Sequence, residues 1–222
     1  MITNRTLNIR KKKNPYREED NFPSRHHVVG SAIRIATRYP EKLLSLPKDV
    51  LHQNFYLEVI AKNERVIKNI PLNEITFEFC MKAIAINPYS IRYIPDAFKS
   101  QAIYIELIKN HPNKLHLIPE NERSYDVYFE MIKQDQSKFI NVLEDFKTVE
   151  LCKTAISKGN GCNLLFVPIE LQDMQMCMYA YQNGCPLYLI PSKIKNTFKF
   201  SRFIKHIAKL KAKAKNEEDL LD

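Results

Sequence analysis

One period constrains this chain more than any other feature. Pro residues preceded by Ile, Leu or Val recur at 47, 71, 95, 119, 168 and 191, and Val142-Leu143 fills the one gap. The successive spacings are 24, 24, 24, 24, 25 and 23 residues. Self-similarity at such a period marks an array of small supersecondary units, each too short to bury its own apolar face. Aligned on the Pro position, the copies share further columns. The preceding residue is Leu46, Ile70, Ile94, Ile118, Val142, Val167 or Ile190; four before it stand Leu43, Ile67, Ile91, Leu115, Phe139, Leu164 and Leu187. Eleven before it come Ala36, Ile60, Ile84, Ile108, Ile132 and Ala180, with Ile156 one place off in the 25-residue copy.

The polar columns say how each unit is built. Eight residues before the Pro position stand Asn63, Asn87, His111, Asp135, Asn160 and Asn183. A side-chain oxygen at such a place accepts a free backbone N–H of a first helical turn. Pro follows directly in Tyr39-Pro40, Asn87-Pro88 and His111-Pro112, where its missing donor costs nothing. Ile91 and Ile94 then fall three apart on one face of a short helix, and the column's Pro ends that helix by disfavouring the α conformation before it. A longer amphipathic helix follows, as in residues 76–86, its apolar face marked by Phe77, Met81 and Ile84. Strand signals are weak, and the Gly-containing turns at 159–161 and 183–184 fall between helices. The chain reads as all-α: an α-solenoid of about seven two-helix units of about 24 residues, stacked to share one core. Whether the first copy, about 26–50, is a full unit or a cap is left open by the pattern.

The motif [A/I]-x-x-[N/D]-P-x-x-[L/I]-x-x-[I/V]-P, repeated across residues 26–195, resembles the short helical repeats known as domain of unknown function 4116. Those repeats occur largely in proteins of Legionella and related intracellular bacteria, many of them type IV secretion effectors. The copy with Leu143 departs from the pattern by lacking its Pro, and this chain has N-P where the family often has N-G. The resemblance implies a repeat protein delivered into a host cell that acts on a host protein there, and it carries no catalytic residues. The ending K-N-E-E-D-L-L-D is similar to the C-terminal translocation signals of such effectors. Without delivery, the expected place is the cytoplasm.

Charge divides the chain further. Residues 1–25 hold seven basic and three acidic groups, 26–192 hold 18 of each, and 193–215 hold nine basic and no acidic groups. Four acids, Glu217, Glu218, Asp219 and Asp222, sit in the last seven residues. The expected organisation is a basic arm or cap over 1–25, a repeat domain over 26–195, a basic amphipathic helix over 196–215 and an acidic tail over 216–222. A neutral body argues against a nucleic-acid groove along it. No apolar run approaches the roughly 18 residues that span a bilayer, and no apolar stretch behind the basic N-terminus makes it a cleavable signal peptide.

Candidate sites follow from these features. Tyr89, Arg92, Tyr93, Lys114, His116 and Tyr188 occupy non-core positions of the short helices and are the expected protein-binding surface. Lys199, Arg202, Lys205, Lys209 and Lys213 line a helix whose other face carries Phe200, Phe203, Ile204, Ile207 and Leu210. That helix caps the stack, and its Lys row suits an anionic membrane surface or, as the weaker branch, nucleic acid. The Lys11–Lys13 cluster reads as an exposed arm. His26-His27 lacks a third partner at ligand spacing. Five Cys without a C-x-x-C pair read as reduced, mostly buried thiols. Phosphate-loop, dinucleotide, zinc-protease and nucleophile-elbow motifs are missing. No enzyme, no metal and no cofactor is expected.

Overall fold

The computed structural model describes residues 25–218, with side chains from 28 to 214. The N-terminal arm with Lys11–Lys13, the side chains of His26 and His27, and the tail beyond 218 lie outside the described residues. The described chain is helical throughout, with no strand. Seven α-helices come first: α1 (Arg25–Arg38), α2 (Gln53–Lys62), α3 (Phe77–Ile86), α4 (Gln101–Asn110), α5 (Tyr125–Gln134), α6 (Val149–Ile156) and α7 (Met174–Gln182). A short α8 (Ser192–Lys195) and a long α9 (Phe198–Glu218) close the chain.

The residues at the helix starts explain why these stretches are helical. Thr76, Ser124, Thr148 and Asp173 each accept the backbone N–H three residues on, and His52 does so through Nδ1. Each such cap is worth about 1 kcal/mol. The buried positions recur at i, i+1, i+4 and i+5: Phe79, Cys80, Ala83 and Ile84 in α3; Val127, Tyr128, Met131 and Ile132 in α5; Leu151, Cys152, Ala155 and Ile156 in α6. Phe77, expected on the apolar face of α3, is 44% exposed. It is the first residue of the helix, and the face that packs begins two residues later.

The expected second helix of each unit is a 3₁₀ segment, and a further one-turn element follows it. The segments are Pro40–Ser45, Glu64–Asn69, Pro88–Arg92, Pro112–Leu117, Gln136–Asn141, Gly161–Phe166 and Leu187–Leu189. Single 3₁₀ turns come next, for example Lys48–Val50, Leu72–Glu74 and Asp96–Phe98. The order therefore has three elements, not two, and it begins complete at α1. Local chemistry favours the tighter helix. Asn63, Asn87 and Asp135 accept the N–H only two residues on, and the Pro that follows forces Leu46 and Ile70 into extended backbone. Little room remains for α-type bonds. Val142, before Leu143 rather than Pro, is equally extended, so the copy without Pro keeps the same path.

Helices α1 to α7 pack each on the next, and the 3₁₀ segments do likewise, with the loosest pairing between Pro112–Leu117 and Gln136–Asn141. One set of side-chain bonds ties neighbours together. Asn63 Nδ2 donates to the Thr37 carbonyl at 2.7 Å and Asn87 Nδ2 to the Ile60 carbonyl at 3.0 Å. His111 Nε2 faces the Ile84 and Ala85 carbonyls at 3.2 and 3.0 Å, so Nε2 carries the proton in that arrangement. These carbonyls close the preceding α-helix, where the last four lack intrahelical donors. Asn63 and Asn87 thus each start one element and finish another, some 26 or 27 residues back, while His111 makes only the backward contact.

Three members of the column depart from this pattern. Asp135 accepts from Ser137 but, as a carboxylate, has no proton to send back. Asn160 donates only to the nearby Ser157 carbonyl and does not cap the segment after it; Asn163 takes over, donating to the Gln136 carbonyl at 3.0 Å and the Ala155 carbonyl at 2.7 Å. Asn183 finishes α7, donating to the Tyr179 carbonyl, and Pro186 precedes the next segment instead. Here the backbone closes the junction: Gly161 N–H donates to the Asn183 carbonyl at 2.9 Å. A Cβ at Gly161 would meet Cys185 N at 2.2 Å and the Ala180 oxygen at 2.5 Å.

Helix α9 covers the last unit. Phe200 is fully buried, and Tyr181 of α7 meets the rings of Phe200 and Phe203 edge-on. Phe203, Ile204 and Ile207 are half-buried, but Leu210 is half exposed. The first three turns cap α7, and the remainder of a helix about 31 Å long runs on with Lys205, Lys209, Lys211 and Lys213 exposed. No helix among the described residues is long and apolar enough to cross a membrane.

Candidate functional site

In a 3₁₀ segment residues three apart eclipse each other. A column of exposed positions follows from this. Leu44, Lys68, Arg92, His116, Ile140, Leu165 and Tyr188 each stand three before the Pro position, and all are exposed. The stripe is basic at Lys68, Arg92 and His116 and apolar from Ile140 to Tyr188.

The basic part is preassembled. Lys114 Nζ donates to the Tyr89 hydroxyl at 2.9 Å and lies 4.7 Å from the centre of that ring. The Arg92 guanidinium sits 5.1 Å from the same centre, and Lys68 Nζ lies 5.1 Å from the centre of Tyr93. The Lys114 bond and charge hold the Tyr89 phenol below its usual pKa. Such cation–π contacts are worth roughly 0.5–1 kcal/mol at exposed sites, enough to restrain long side chains. Of the expected surface, Tyr89, Arg92, Tyr93, Lys114 and His116 fall on two adjoining segments. Tyr188, 77% exposed, stands apart on Leu187–Leu189 beyond the apolar stretch.

Beside this group, at the loosest pairing, lies a cleft that the sequence reading missed. It has a volume of about 370 Å³ between Pro112–Leu117 and Gln136–Asn141. Asn113, His116, Arg123, Lys138 and Asn141 line it, with the buried Leu115 and Met131. Arg123 belongs to a column four residues after the Pro position, with Lys99, Lys147, Gln172 and Lys195. Members of this column fold back: Arg123 Nε donates to the Ile118 carbonyl at 3.0 Å, and Gln172 Nε2 to the Val167 carbonyl at 2.8 Å. Lys147 pairs with Glu144 at 2.6 Å and is nearly buried. Tyr128 is fully buried, with its hydroxyl against the Arg123 side chain. Burial raises its pKa while Arg123 pulls the other way. The sequence shows the charges of the cleft as one basic column beside another, but not the gap between the two segments.

The second expected surface is the Lys row of α9. Lys199, Arg202, Lys205, Lys209 and Lys213 are exposed along it, with no acidic residue before Glu217.

Burial pushes the thiols of Cys80, Cys152, Cys177 and Cys185 up to about 11, so they are protonated packing groups at neutral pH. Cys162 is exposed. Among the described residues no group of three or more His, Cys, Asp or Glu side chains has the arrangement to hold a metal ion. The exposed stripe and the cleft present cations, amide donors and apolar side chains. Comparison with known proteins finds no matching family model, no similar curated protein and no similar solved structure.

Proposed function

We propose that the chain is a non-catalytic scaffold, an α-solenoid whose 3₁₀ edge binds an extended segment of another protein. The observation that carries this reading is the exposed column from Leu44 to Tyr188, one residue per copy. An array of this kind suits a partner that contacts several units in turn. Its basic part favours acidic side chains on the partner and its apolar part favours aliphatic ones. The repeat motif's likeness to domain of unknown function 4116 supports a further step: a secreted bacterial effector whose partner is a host protein.

The test is capture of partners from eukaryotic lysate by the full chain and two full-length variants, at low and moderate salt. One variant carries Tyr89→Ala, Arg92→Ala and Lys114→Ala; the other carries Gln at Lys199, Arg202, Lys205 and Lys209. The scaffold reading expects a discrete protein that persists at moderate salt, is lost by the first variant and is kept by the second. Capture that the second variant alone abolishes, and that fades with salt, would move the function to α9. Removing α9 is a poorer test, because it strips the buried Phe200 from the last unit.

That second outcome is the alternative reading, binding of an anionic membrane surface through the basic face of α9. The run of basic residues from 193 to 215 without an acid favours it. Nucleic acid is its weaker branch, since the basic face does not continue along the body.

A further inference from the structure

The cleft between Pro112–Leu117 and Gln136–Asn141 differs from every other junction in two independent ways. The first is its origin. Where Asn63, Asn87 and His111 reach back to close the preceding junctions, the corresponding residue here is Asp135, which has no donor and turns to its own segment, 3.6 Å from Lys138. The second is its lining. Three basic side chains and two amides converge on the cleft, and no carboxylate lines it.

Arg123 is the most telling of these groups. It is half-buried, its Nε is committed to the Ile118 carbonyl, and among the described residues no Asp or Glu lies within ion-pair distance of its guanidinium. Half-buried cations are ordinarily paired, because withdrawal from water costs free energy that a counter-charge offsets. Two other basic members of its column follow that rule, Lys99 pairing with Asp96 and Lys147 with Glu144, whereas half-buried Lys195 makes no ion pair among the described residues. Arg123 lines the cleft together with Lys138, His116, Asn113 and Asn141, and its guanidinium also lies against the buried Tyr128 hydroxyl. The guanidinium fork fits two oxygens of one group, and the volume is that of a small-ligand pocket.

We infer that this cleft is an oxyanion site, taking a carboxylate or a phosphate group between Arg123, Lys138 and His116, with Asn113 and Asn141 as further donors. Arg123 supplies the paired contact, Lys138 the second charge, and Asp135 sets how much of that second charge the ligand feels. The inference stands on the cleft alone and does not require the scaffold reading.

The test is a titration of the full chain followed by amide and Arg Nε resonances, with inorganic phosphate in one arm and succinate in the other. Ionic strength is held constant with chloride. Saturable shifts at Asn113, Asn141 and Arg123 in either arm support the site, and the stronger arm tells whether its natural occupant is phosphorylated or carboxylic. Arg123→Gln keeps the fold, since Gln172 serves the same column by binding backbone carbonyls; it should weaken binding at least about tenfold, or 1.4 kcal/mol. His116→Ala, at an exposed position, should weaken it by a smaller factor. The α9 variant with Gln at Lys199, Arg202, Lys205 and Lys209 should bind as the parent does. Shifts no larger than chloride produces, binding untouched by Arg123→Gln, or binding abolished by the α9 variant would each overturn the inference.

Discussion

Two junctions of the same molecule, built from the same column of residues, end in different states. Between α2 and α3, Asn87 accepts from Tyr89 N–H and donates to the Ile60 carbonyl at 3.0 Å. Between α4 and α5, Asp135 accepts from Ser137 N–H and donates nothing. The backbone start is the same in both; the tie to the preceding helix is present in one only. The first junction is closed, and the second opens into a polar cleft of about 370 Å³. The junction whose column residue lacks a donor is the one beside the cleft. The change from amide to carboxylate leaves the local turn intact.

The largest test of that comparison is at the last junction, where backbone replaces the side-chain tie. Gly161→Ala places a methyl group 2.2 Å from Cys185 N, and no flexible side chain is there to yield. A loss of about 3 kcal/mol in chemical denaturation is expected. A neutral result would mean the seam is looser than the backbone bond implies. Asn163→Ala removes donors to two carbonyls in one step, and about 2 kcal/mol should go with them. Loss of under about 0.5 kcal/mol there would say that these carbonyls find water instead.

A gain is expected at the copy without Pro. Leu143 has φ −65 and ψ 146, a conformation Pro adopts unstrained, and it is 40% exposed. Leu143→Pro should therefore raise stability by about 0.4–1 kcal/mol, mainly by restricting the unfolded chain. A decrease in the denaturation midpoint would show that the path beside the cleft needs the N–H or side chain of Leu143.

The smallest effect is on the acid limb. Hydrogen bonds from Ser137, with Lys138 nearby, hold the Asp135 carboxyl below its usual pKa. A depressed folded pKa means that its contribution is complete above the unfolded value, about 3.9, and is lost as pH falls through the folded one. Asp135→Asn does not titrate, so its stability relative to the parent should rise further between pH 5 and pH 3. A difference flat across that window would remove Asp135 from the account of acid stability.

The sequence carried the helical class well, because columns such as Ile60, Ile84, Ile108 and Ile132 repeat at a fixed interval and all are buried. It also carried the caps at Asn63, Asn87 and Asp135. It did not distinguish a two-turn α-helix from a 3₁₀ segment, since Ile91 and Ile94 three apart serve either geometry. Nor did it reveal that Asn163 rather than Asn160 makes the tie, because the extra residue in that copy shifts the register. The basic-aromatic group was visible as individual residues on the short helices. The cleft was not, because it comes from what Asp135 lacks, and a column read for its acceptors gives Asp and Asn the same value.

The most direct test exchanges these two residue types. Asn87→Asp and Asp135→Asn each keep the oxygen that caps the 3₁₀ segment, and each exchanges an amide donor for a carboxylate charge or the reverse, beside Glu64 in the first case and Lys138 in the second. Measured by chemical denaturation at pH 7, Asn87→Asp should lower stability by about 1–2 kcal/mol, as the tie to Ile60 is lost and a carboxylate is set against a carbonyl. Asp135→Asn should raise it by about 0.5–1 kcal/mol as a new tie forms to the end of α4. Opposite signs are the predicted result. Two changes of the same sign, or two within error of zero, would contradict the claim that the donor in this column decides which junction closes.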